Sequence, residues 1–157
     1  MAIEIERISE KGFVPRWVKF SHQALYKFSA QYVKDKRVLD CACGEGFGSE
    51  LFLKSGATRL TGVDISPEAI KIVRSKITLS DANFIQGDAI NLPFYDSEFD
   101  AYISIETIEH IEKDVLFLKE AFRVIKPGGI FICSSPNREV MNPGKTINDK
   151  PLNKFHI

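Results

Sequence analysis

Neither sign of charge predominates in this 157-residue chain, where 21 Lys and Arg stand against 21 Asp and Glu. Balanced charge gives no long-range field to draw a polyanion, so nucleic acid and anionic lipid are not expected partners. Cysteine is scarce as well, with three residues at positions 41, 43 and 133. They are odd in number and lie in or beside apolar segments, which fits reduced packing residues better than a disulfide framework. Cys41-Ala42-Cys43 also has the wrong spacing for a zinc knuckle. No stretch reaches the roughly 20 apolar residues of a membrane span. The amino-terminal MAIEIERISEKGF carries no uninterrupted apolar run, so the cytoplasm is the expected compartment. Repeats and low-complexity tracts are missing too. What remains, 44% hydrophobic and 27% charged, is an ordinary globular composition, long enough for one domain with one substantial core.

The positive content is an alternation of short apolar runs and amphipathic ones. Strands are expected near 37–41, 59–64, 82–86, 99–105 and 129–134, with helices near 46–54, 67–77 and 114–125, the pattern of parallel βαβ crossovers. Ser66 before Pro67, and Asp114 before an apolar stripe, are good helix starts. A leading helix is expected over 16–33, after Pro15, because Trp17, Phe20, Ala24, Tyr26, Phe28 and Val33 fall near helical spacing. The core of the domain is then 37–134, followed by a loop-like tail, 135–157, rich in Pro, Asn and Gly. The fold class is α/β, a mostly parallel sheet with helices on both faces.

The most informative segment is VLDCACGEGFGS, residues 38–49. An apolar strand ends at Asp40, and Gly44, Gly46 and Gly48 let the backbone that follows approach a ligand closely. A second apolar strand ends in Asp64 about twenty residues after the turn, where an acidic side chain can grip ribose hydroxyls. A dinucleotide dehydrogenase would want glycines at 42, 44 and 47, and Ala42 and Phe47 break that frame.

These residues resemble the first two motifs of the class I S-adenosylmethionine-dependent methyltransferases, in which a strand ending in Asp runs into a Gly-x-Gly-x-Gly turn. Ala42 stands where that turn has its first glycine, a change tolerated where the residue keeps a negative φ. The resemblance continues in order through GVDIS (62–66), QGDAINLPF (86–94), FDAYISIETIEHI (99–111) and LKEAFRVIKPGGIFICSSPN (118–137). It implies a Rossmann-like fold with S-adenosylmethionine as cofactor. Asp40, Ala42, Cys43, Gly44 and Gly46 would meet the donor, Asp64 and Ile65 its ribose, Asp88 and Ala89 its adenine, and Ile105 would face the reacting groups. Such folds usually carry a sixth and a seventh strand beyond the fifth, and both are expected to be missing from this sequence, which stops 23 residues after Ser134. A truncated chain or fragment is therefore expected, with the fifth strand at a sheet edge open to self-association.

Chemistry clusters after the fourth strand. Glu106, Glu109 and His110 stand at i, i+3 and i+4, which in a helical turn puts them on one face as a general base site or a divalent-ion site. His110 and Glu109 are the candidate catalytic residues. Glu-x-x-Glu-His here also resembles the metal motif of RNA-terminal 2′-O-methyltransferases, which implies Glu106, Glu109, His110 and a later histidine, His156, as candidate ligands. His22 and Tyr26 lie one turn apart on the leading helix, which in such folds often closes over the donor. Glu6-Arg7, His22 to Tyr26, ACGEGFGS and SSPN together resemble methyltransferases of surface-polysaccharide and glycan biosynthesis. The expected function is methyl transfer to a hydroxyl of a small-molecule or carbohydrate acceptor. The alternatives are the metal-dependent RNA enzyme and a non-catalytic cofactor-binding domain.

Overall fold

The computed structural model describes residues 16–136. Five strands, β1 (Arg37–Cys41), β2 (Arg59–Asp64), β3 (Ala82–Gln86), β4 (Phe99–Ser104) and β5 (Ile125–Cys133), form one sheet in the order β3-β2-β1-β4-β5. Every pairing is parallel. The helices are α1 (Arg16–Ser29), α2 (Phe47–Lys54), α3 (Pro67–Lys76) and α4 (Asp114–Val124). The chain builds β1, β2 and β3 outward, then returns to place β4 on the other side of β1. The order reverses between β1 and β4, and in open α/β sheets the crevice outside the carboxyl ends at that reversal is where ligands bind.

Helices cover both faces because strand side chains alternate. Val38, Leu60, Phe84, Ala101 and Ile103 pack with Tyr26, Phe52, Ile70 and Val73 of α1, α2 and α3. Leu39, Cys41, Val63 and Tyr102 pack on the opposite face with Phe117, Ala121 and Val124 of α4. Phe52, Phe99, Tyr102 and Phe117 are fully buried, each contributing on the order of 2 kcal/mol of transfer free energy.

Local signals set the helix starts. Ser66 caps α3, its hydroxyl accepting from the Ala69 N–H at 3.3 Å, with Pro67 in the first turn. Helix α2 has no side-chain cap; Gly46 enters it at φ +87. A Cβ on Gly48 would stand 2.0 Å from Tyr26 Cε1, so only glycine lets the α1 tyrosine lie against α2.

Three sequence expectations are adjusted. The leading helix is α-helical only to Ser29, and Ala30–Tyr32 form a 3₁₀ turn. Strand β5 starts four residues earlier than expected, because Ile125 pairs with Phe99 before an irregularity, with Gly128 at φ +77, shifts the register to Ala101↔Ile130. The segment after β4 is not a helical turn at Glu106, whose φ is +52; only Ile108–His110 form a 3₁₀ turn. No helix among the described residues is long and apolar enough to cross a membrane. Glu6, Arg7 and His156 lie outside the described residues.

Candidate functional site

At the carboxyl end of β1 the chain makes a tight turn held almost entirely by backbone. Ala42 and Gly44 both adopt left-handed φ values, +61 and +53. The Cys43 N–H donates to the Val63 carbonyl at 2.9 Å, and the Gly46 N–H to the Cys43 carbonyl at 3.0 Å. Asp64, 6% exposed at the end of β2, accepts from the Gly44 N–H at 2.9 Å and from the Ser66 N–H at 2.8 Å. One carboxylate thus ties the glycine turn to the start of α3. No atom lies within 4 Å of where a Cβ on Gly44 would stand, so its backbone faces open space.

That space is a cavity of about 280 Å³ at the carboxyl ends of β1, β2, β3 and β4. Of the residues expected to meet a cofactor, Ala42, Cys43, Gly44, Asp64, Ile65, Asp88, Ala89 and Ile105 line it. Glu106 and His110 line it from the β4 side, and His22 and Tyr26 from α1. Asp88 also accepts from the Ile90 N–H at 3.1 Å, shaping its own turn.

Asp40 and Gly46 do not line the cavity. Asp40 is 1% exposed beneath the turn, where the Ser49 hydroxyl donates to its Oδ2 at 2.5 Å. Burial pushes its carboxyl up to about 7, the Ser49 bond opposing and Asp64 adding to the rise. Gly46 acts on packing, since a Cβ there would stand 2.3 Å from Val73 Cγ2. Tyr26 is buried among the same acids. Its phenol is raised well above the usual value by burial first, then by Asp40, Cys43, Asp64 and Glu106. Burial likewise pushes the Cys41 thiol up to about 12 and Cys43 upward, so both fit protonated packing residues.

The expected common face of Glu106, Glu109 and His110 does not form. Left-handed Glu106 aims away from helical register, and Glu109 is 7% exposed outside the cavity lining. Among the described residues no three His, Cys, Asp or Glu side chains are grouped to hold a metal ion. Glu109 Oε1 lies 3.8 Å from His110 Nε2, and Oε2 has no hydrogen-bond partner among the described residues. Burial raises Glu109 to about 7, Glu106 adding to the effect. The pair supports a histidine at the cavity with a buried carboxyl behind it.

Phe47, Thr107 and Ile111 join the lining without having been expected there. Phe47, directly after the glycine turn and 52% exposed, was visible in the motif but belonged to none of its glycine positions. Thr107 and Ile111 depend on how the chain bends after β4, which the sequence pattern does not reveal.

Residues 39–133 match the family described as a methyltransferase domain. A Mycolicibacterium smegmatis protein named "Probable S-adenosylmethionine-dependent methyltransferase" is 35% identical over 135 residues, 86% of this chain and 50% of that protein. The fatty-acid O-methyltransferase of the same organism is 32% identical over 138 residues, 85% of this chain and 50% of that protein. Among solved structures, a Pyrococcus horikoshii protein superposes with a TM-score of 0.67 at 37% identity, covering 76% of this chain and 58% of that one. The chain spans about half the length of the curated relatives it matches.

Proposed function

The chain belongs to the class I S-adenosylmethionine-dependent methyltransferases, and on that footing we propose that it binds S-adenosylmethionine in this cavity and methylates an oxygen of a small acceptor with an apolar body. The observation that carries the reading is the convergence on one cavity of the Gly44 backbone, Asp64, Asp88 and His110. The open space over Gly44 fits a ligand pressed against the backbone. Asp64 would hold the ribose hydroxyls, since a carboxylate oxygen accepts more than one hydrogen bond and can serve the turn and a ligand together. Asp88 and the Ala89 N–H would receive the adenine.

When bound, the cofactor supplies a methyl group already activated on a sulfonium sulfur. The protein then has to orient the acceptor and remove its proton. His110 would act as the base, accepting the acceptor's hydroxyl proton on its imidazole. Glu109 Oε1, 3.8 Å from His110 Nε2, is placed to favour the protonated ring. Phe47 and Ile111, beyond the residues assigned to the cofactor, give the cavity an apolar lining that suits a hydrocarbon body better than a sugar. The fatty-acid O-methyltransferase relative agrees with that preference. A metal-assisted route would require Glu106, Glu109 and His110 to converge, and Glu109 lies outside the cavity lining.

The test is transfer of an isotopically labelled methyl group to a long-chain alcohol and, in parallel, to a methyl glycoside. Label is expected in the alcohol, and label in the glycoside alone would overturn the apolar assignment. His110→Ala should lower turnover roughly 100-fold, the scale of general-base catalysis, with donor affinity unchanged.

A further inference from the structure

The conformation of Glu106 is unusual for a residue with a side chain. A left-handed φ costs a non-glycine residue on the order of 1 to 2 kcal/mol and persists only where surrounding structure holds it. At Glu106, φ is +52 and the residue lines the cavity. What holds it comes from 28 residues further on, at the end of β5. The Glu106 N–H donates to the Ser134 carbonyl at 3.1 Å and to Ser134 Oγ at 3.0 Å. The same hydroxyl donates to Glu106 Oε1 at 2.7 Å. Ser134 is itself fixed, its N–H donating to the Ser104 carbonyl at 3.1 Å in continuation of the β4–β5 ladder.

We infer that Ser134 is a positioning residue of the donor site, clamping Glu106 through both its backbone and its carboxylate so that the carboxylate is presented to the cavity in one orientation. A serine hydroxyl has one proton to give and lone pairs to accept with, and here both functions go to the same residue. The clamp fixes χ angles that a glutamate otherwise samples freely, which prepays the ordering a bound ligand would require. A cationic ligand gains from a carboxylate held in place, and S-adenosylmethionine carries a sulfonium and an ammonium. The inference rests on the cavity being the donor site.

The test is a double-mutant cycle on the full chain, read by calorimetric titration with S-adenosylmethionine. Ser134→Ala should weaken binding roughly tenfold, the scale of a lost hydrogen bond to a charged group, and Ser134→Thr, which keeps the hydroxyl, should restore it. In a Glu106→Ala background, where no carboxylate is left to be positioned, Ser134→Ala should have little further effect on binding. The mutants' melting temperatures check that each is folded. If Ser134→Ala binds as well as the parent chain, or weakens binding equally with and without Glu106, the clamp is refuted. If the parent chain itself does not bind, the donor-site reading falls first and the clamp with it.

Discussion

Ala42 adopts φ +61 in a turn whose family pattern has glycine, so the turn is formed at a local cost. The left-handed conformation costs a residue with a Cβ about 1 to 2 kcal/mol, and glycine returns part of that through its larger unfolded-state entropy. Ala42→Gly is therefore expected to raise unfolding stability by up to about 1 kcal/mol, measured by urea titration. A lowered midpoint would mean that the methyl group makes a packing contribution larger than the strain. The identity of the turn was legible in the sequence, but the sign of φ at Ala42 was not, because it depends on Cys43 and Gly44 bonding to Val63 and Asp64 of the neighbouring strand. The same holds for Asp40, which the motif places at the ligand and which the structure buries against Ser49.

At the scale of elements, α1 and α2 meet through Tyr26 and Gly48. Alanine is normally better than glycine inside a helix by 0.5 to 1 kcal/mol. Here the added carbon would stand 2.0 Å from the Tyr26 ring, so Gly48→Ala is expected to destabilise despite that propensity, by about 1 to 3 kcal/mol as in overpacked cores. Because Tyr26 lines the cavity, the same substitution should weaken ligand binding. A more stable mutant in thermal denaturation would show that Tyr26 moves aside without cost. Strands β1, β2 and β3 were legible to the residue because their apolar runs end at Asp or at turn residues, where local chemistry and tertiary structure agree. The segment Glu106–His110 was misread as a helical face because Ser134, distant in sequence, decides its bend. Likewise the early start of β5 follows from pairing with Phe99, which periodicity within β5 does not report.

For the whole molecule, two buried carboxyls make stability depend on pH. Asp40 and Glu109 are both raised to about 7 by burial. A carboxyl raised in the folded state stabilises fully below its unfolded value near 4, and that contribution is lost as pH rises through the folded value. Melting temperature is thus expected to fall between about pH 4 and pH 7 on account of these groups, and Asp40→Asn should flatten the fall. Calorimetric melting across that range checks it, and an identical profile in the mutant would remove Asp40 as a cause. The parallel α/β architecture itself was legible throughout, because each strand–helix alternation carries its own signal. The composition of the cavity lining was less so, since Phe47, Thr107 and Ile111 converge only once the sheet is assembled.

The central claim is that the cavity at the ends of β1, β2 and β3 receives the adenosyl group, with Asp64 on its ribose. Calorimetric titration with S-adenosylhomocysteine, on the parent chain and on Asp64→Ala, tests it most directly. The account predicts micromolar binding to the parent, weakened in the mutant by about 1 to 3 kcal/mol, the scale of charged hydrogen bonds lost. A folded parent chain that takes up no ligand, or a mutant that binds with unchanged affinity, would contradict it.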